Sequence, residues 1–128
     1  MKLWIGARLD SDINDVFRVL RNEIESSINQ HIEYVDYGDG VKCWDLVLVI
    51  FSEGGNEYFR FKKKTKETDI QLCIDYEEFK NGNSLKKQSL IYDALLNSID
   101  IMQDKSIKDL DFVLLKKDIL KLRNKKLG

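Results

Sequence analysis

The stretch Lys42-Cys43-Trp44-Asp45-Leu46-Val47-Leu48-Val49-Ile50-Phe51 decides the fold. From Leu46 onward it is apolar on both faces, the pattern of a strand with neighbours on either side. The run is far too short to cross a bilayer, which takes about 20 residues. After it, Ser52-Glu53-Gly54-Gly55-Asn56 has the composition of a hairpin loop. The chain is expected to return through Tyr58–Lys62, where Phe59 and Phe61 oppose polar positions. A lysine-rich turn, Lys63-Lys64-Thr65-Lys66, leads into Thr68–Asp75, which sets Ile70, Leu72 and Ile74 against Asp69, Gln71, Cys73 and Asp75.

Working toward the N-terminus, Tyr37-Gly38-Asp39-Gly40 is turn chemistry, because glycine reaches positive φ without steric cost. Its flanks fit a short strand or a loop. Before it, Asp10 or Ser11 can cap a helix, with Asp12 and Asp15 near its positive end. Ile13, Phe17, Leu20, Ile24 and Ile28 recur at spacings of three and four, predicting a helix from about Ser11 to Gln30. Lys2–Leu9 alternates, with Leu3, Ile5, Ala7 and Leu9 on one side, and reads as a first strand.

Toward the C-terminus, Tyr76-Glu77-Glu78-Phe79 fits one short helical turn, ended by Asn81-Gly82-Asn83. Ser84 is placed to cap a longer helix with the stripe Ile91, Ala94, Leu95, Ser98 and Met102. Asp111 is placed to cap a last one carrying Phe112, Leu115, Ile119 and Leu122. Residues 123–128 are expected to fray. The order β-α-β-β-β-α-α predicts an α+β fold: an antiparallel sheet of four to five strands with helices packed on one face. Residues 1–128 are expected to form a single domain, with no linker or repeat.

Composition narrows the function classes. There is no proline, which removes PxxP ligand segments and stiff proline spacers. Six Phe, five Tyr and two Trp argue against disorder in spite of 34% charged residues. The apolar start of the chain is interrupted by Arg8, Asp10 and Asp12, so no secretory signal is expected. Cys43 and Cys73 make no CxxC pair and read as small hydrophobes in strands of a cytoplasmic protein. Trp4 and Trp44 fit either core or surface.

Catalytic chemistry has little support. His31 is the lone histidine, at the expected end of the first helix, where the dipole favours it structurally. No nucleophile elbow, phosphate-cradling glycine loop or zinc spacing occurs. Asp69, Asp75, Glu78 and Lys80 resemble the carboxylate-and-lysine set of a small metal-dependent nuclease. In a chain this charged, such spacing also arises by chance and marks a solvated face.

The net charge of −1 averages separated regions: residues 1–61 are acidic, Lys62–Lys66 basic, 67–104 acidic and 105–128 basic. The basic clusters lack interleaved aromatics, so neither nucleic acid nor a membrane is expected as partner. Glu33–Asp39 interleaves Tyr34 and Tyr37 with Asp36 and Asp39 beside a glycine turn. Tyrosine anchors and steering carboxylates suit a protein interface; an acidic loop packed on its own domain is the other reading. The Glu77–Glu78 corner is a second acidic candidate.

One family resemblance draws these segments together. Lys2-Leu3-Trp4-Ile5-Gly6-Ala7 is followed by a helix with Phe17 and Arg21-Asn22-Glu23-Ile24, then Tyr37-Gly38-Asp39-Gly40-Val41 and Trp44-Asp45. Lys66–Phe79 and Ala94-Leu95-Leu96-Asn97-Ser98-Ile99-Asp100 complete the pattern. This order resembles the bacterial immunity protein 44 family of polymorphic toxin systems, over Met1 to about Asp100. The resemblance implies a small cytoplasmic protein that binds the C-terminal domain of a cognate toxin, such as a nuclease, and blocks it. It implies neither catalytic residues nor a cofactor. Tyr34, Asp36, Tyr37, Asp39, Glu77 and Glu78 are the expected toxin-binding residues.

Overall fold

A computed structural model describes residues 3–8, 18–19, 21–26, 46–52, 57–63, 67–105 and 112–127. His31, Tyr34, Asp36, Tyr37, Asp39, Cys43, Trp44 and Asp111 lie outside the described residues. Strands β1 (Leu3–Arg8), β2 (Leu46–Ser52), β3 (Tyr58–Lys62) and β4 (Glu67–Gln71) form one sheet in the order β1-β2-β4-β3. Helical residues 18–19 and 21–26 (α1) fall between β1 and β2. After the sheet come α2 (Tyr76–Asn81), α3 (Ser84–Lys105) and α4 (Phe112–Leu127).

The α+β architecture is as expected, but the sheet is mixed rather than antiparallel. Strand β2 pairs in parallel with both β1 and β4, and only β3 and β4 are antiparallel. Strand β2 is central, as its two apolar faces require. The expected hairpin between β2 and β3 does not form, because β4 takes the place beside β2 and β3 is moved to the edge. Burial explains the exchange. In β4, Thr68, Asp69, Ile70 and Gln71 are all buried, on alternating faces, whereas β3 leaves Tyr58 and Arg60 exposed. A strand with one open polar face is better placed at an edge than between neighbours. The hairpin therefore lies between β3 and β4.

Register aligns two kinds of row across the sheet. Ile5, Leu48, Ile70 and Phe59 form one row. With Leu3, Leu46 and Leu72 they meet Ile24, Phe79, Ile91, Tyr92, Leu95, Ile99, Met102, Leu115 and Ile119 in one core cluster. The opposite face carries the row Trp4, Val47, Asp69 and Arg60, apolar at one end and charged at the other. The Trp4 ring lies across Gly6, where a Cβ would stand 2.1 Å from the ring. A glycine is required at that close approach.

The outer edge of β1 is held by side chains. Arg21 Nη1 donates to the Ile5 carbonyl at 2.8 Å, and the Ile5 N–H donates to Glu25 Oε1. An i, i+4 pair on α1 thus satisfies both backbone polar groups of one edge residue, as a neighbouring strand would. The Arg21 guanidinium also stands 5.8 Å from the Trp4 ring centroid. Burial pushes the Glu25 carboxyl above its ordinary range, opposed by the Ile5 N–H and by Arg21.

Helix α3 is 22 residues long, about 33 Å, and buries Ile91, Tyr92, Ala94, Leu95, Ser98, Ile99 and Met102. Its cap is Asn83 rather than Ser84: Asn83 Oδ1 accepts the Lys86 N–H at 2.8 Å. Helix α4 runs through the expected fraying tail to Leu127. Cys73 also departs from expectation. It lies beyond the end of β4, is exposed, and donates its N–H to Glu57 Oε1 at 3.2 Å. No helix among the described residues is long and apolar enough to cross a membrane.

Candidate functional site

The acidic corner is built by a helix cap. Asp75 is extended and accepts the Glu78 N–H on Oδ1 at 3.1 Å, while its carbonyl accepts the Phe79 N–H at 3.2 Å. This cap starts α2 and sets Glu77 and Glu78 in its first turn, where the helix dipole favours carboxylates. Phe79, fully buried, ties the short helix to the core. The Gly82 N–H closes the other end on the Phe79 carbonyl at 3.2 Å. Both Glu77 and Glu78 are exposed. Glu78 pairs with Lys86 of α3 at 2.9 Å, whereas Glu77 has no ion pair among the described residues.

Helix α3 then brings a second charged group beside that corner. Lys86, Ser89 and Asp93 stand at i, i+3 and i+7, so they share one helix face. Lys86 holds Glu78 of α2, while Ser89 Oγ and Asp93 Oδ1 hold Arg123 Nη2 of α4 at 3.3 and 3.2 Å. Farther along, Asp100 pairs with Lys116 of α4. The acidic corner and the C-terminal half of α4 therefore flank the same strip of α3.

A separate charged group lies in the sheet. Lys62 Nζ stands 2.9 Å from Glu67 Oε2 and 3.3 Å from Asp69 Oδ2. Burial pushes the Asp69 carboxyl up, neighbouring Glu67 adds to the shift, and Lys62 opposes it. The hydrogen bond to Glu67, with the charge of Asp69, holds the Lys62 ammonium above its ordinary value. Asp69 Oδ1 is buried and accepts no hydrogen bond among the described residues.

These contacts engage three of the four residues that resembled a nuclease set in other roles. Asp69 faces Lys62, Asp75 caps α2, Glu78 pairs with Lys86, and Lys80 is exposed. Among the described residues, no group of three or more His, Cys, Asp or Glu is arranged to hold a metal ion. Of the expected toxin-binding residues, the structure places Glu77 and Glu78 together on α2, and the other four lie outside the described residues. Two features escaped the sequence reading. The Arg21–Glu25 brace was signalled only by its i, i+4 spacing. The exposed aliphatics of α4 were signalled by their position off the Leu115–Ile119–Leu122 stripe.

A mixed four-stranded sheet with helices packed on it defines an α+β protein. The model of the family Immunity protein 44 (Imm44) matches residues 1–125. The chain belongs to that family and is an immunity protein. Membership implies a role in binding a toxin rather than in catalysis. No curated protein and no solved structure matches it.

Proposed function

We propose that this immunity protein neutralises a cognate bacterial polymorphic or contact-dependent toxin by stoichiometric association in the cytoplasm of the cell that makes it. Its membership of the Imm44 family over residues 1–125 carries this reading. The toxin is a nuclease, whose cationic nucleic-acid cleft attracts carboxylates. Glu77 and Glu78, held outward on a capped helix, supply two of them. Asp36 and Asp39 supply more, with Tyr34 and Tyr37 as apolar anchors. Charge complementarity of this kind acts mainly on association and register, while buried anchors act on dissociation.

The test is to co-express the chain with the toxin-like C-terminal domain encoded by the neighbouring reading frame. Restored growth and an equimolar complex on copurification are expected. Nuclease inhibition in vitro should saturate at one equivalent. Toxicity unaffected by the chain overturns the reading. So does magnesium- or manganese-dependent cleavage of DNA or RNA by the chain itself, abolished in Asp75→Ala.

A further inference from the structure

Helix α4 leaves apolar side chains exposed on its outward face. Leu115 and Ile119 are buried, and Phe112 and Leu122 pack partly against the core. Yet Val113, Leu114 and Leu120 are 73%, 53% and 42% exposed. These are three of the six large exposed apolar side chains among the described residues, on one helix. At 100° per residue they share the outward half of α4 with Lys117, Lys121 and Lys125. The cations of α4 divide in the same way. Lys116 and Arg123, at the flank facing α3, are paired with Asp100 and Asp93. Lys117, Lys121 and Lys125 make no ion pair among the described residues. The lone carboxylate of α4, Asp118, sits to the side with Lys121, Leu122 and Lys125, lining a depression of about 370 Å³.

We propose that the outward face of α4 is a docking surface for an acidic surface of the toxin that also presents apolar side chains. The proposal rests on the immunity reading and adds a second contact to it. Lys117 and Lys121 run up the middle of this face, between Val113 and Leu120 on one side and Leu114 on the other, so cations without an ion pair among the described residues interleave with exposed aliphatics. Protein interfaces combine apolar and charged contacts in this way. The three lysines outnumber the single carboxylate, Asp118, so the face disfavours a positive partner and favours an acidic one. Nucleic acid fits less well, because no aromatic side chain stands among the lysines to stack a base. Position adds to the argument. Arg123 anchors α4 to the strip of α3 that also holds Glu78, so one partner can touch the acidic corner and the basic helix together. Opposite charges on one contact surface fix the orientation of a partner that carries their complement.

The test uses the full chain and the toxin domain from the neighbouring reading frame, with binding kinetics read at two salt concentrations. Lys117→Glu with Lys121→Glu should slow association about tenfold and flatten its salt dependence. Val113→Ser with Leu120→Ser should speed dissociation about tenfold. Both double variants should keep the wild-type melting temperature, since neither touches the core, and Lys117→Arg with Lys121→Arg should bind normally. Failure of the wild-type chain to bind the toxin overturns the immunity reading and this proposal together. Wild-type binding that both double variants retain overturns the proposal alone. So does a charge-reversal effect confined to a duplex DNA probe, with toxin binding unchanged.

Discussion

Helices α3 and α4 lie side by side and are built from similar residues, yet they use them differently. Helix α3 packs against β2 and α4 and buries seven residues from Ile91 to Met102, Ser98 among them, leaving only Leu85 exposed among its large apolar side chains. Helix α4 buries Leu115 and Ile119 but leaves Val113, Leu114 and Leu120 in solvent. A helix with neighbours on two sides can cover a wide stripe, whereas one at the outside of a layer covers a narrow one. Aliphatics placed beyond that narrow stripe contribute nothing to the core. The contrast separates side chains that serve stability, concentrated on α3, from side chains left exposed to solvent on α4.

The largest effect that sharpens this contrast is a cavity. Leu95→Ala removes a fully buried side chain and should cost roughly 2–5 kcal/mol, read by urea unfolding. Leu120→Ala should stay within about 0.5 kcal/mol of wild type, as exposed substitutions do. Equal losses in the two variants would break the division between the helices.

A smaller effect falls on the start of α3. Asn83→Ala removes the side-chain acceptor of the Lys86 N–H and should cost about 1 kcal/mol. Ser84→Ala should cost much less, because the Ser84 hydroxyl meets only Gln88 Nε2, at 3.4 Å. A larger loss in Ser84→Ala would return the cap to the residue that its position before the stripe suggested.

Both corrections show what the sequence encodes and what it leaves open. The stripe of α3 and the short helix at Tyr76–Phe79 were legible, because each depends on residues within a few positions of one another, although the cap role of Asp75 was not read. Strand partnership was not. The alternation in Ile70-Gln71-Leu72 describes which face a residue takes, and it is the same for an edge or a central strand. That Asp69 and Gln71 would be buried, with β4 between β2 and β3, depends on strands far apart in the chain. The candidate site divides likewise. Glu77 and Glu78 could be read from the start of α2, but the approach of Arg123 to their strip of α3 arises only when α3 and α4 pack.

How firmly α4 is tied to α3 is measured by a double-mutant cycle on Arg123 and Asp93. The ion pair spans 3.2 Å between a partly buried guanidinium and an exposed carboxylate, so its coupling should be about 0.2–1 kcal/mol and should fall with added salt. A coupling near zero would leave α4 held by apolar contacts, the Lys116–Asp100 pair and the Arg123–Ser89 hydrogen bond. The strip shared with Glu78 would then be a weaker guide to where a partner sits.

The smallest effect at neutral pH tests the buried character of α3 through Tyr92. Burial, with the nearby charge of Glu23, raises the Tyr92 hydroxyl above its ordinary value of 10.0. The unfolded chain therefore loses this proton at lower pH than the folded one. Stability contributed by the neutral hydroxyl is complete below pH 10 and falls as pH rises through the interval up to the raised value. Tyr92→Phe should match wild type near pH 7 and lose less stability above pH 10. Lysines and other tyrosines titrate in both proteins, so the difference between the two curves isolates this one group. Parallel curves would mean that the hydroxyl is solvated, and that the burial of α3 is shallower at Tyr92 than at Leu95.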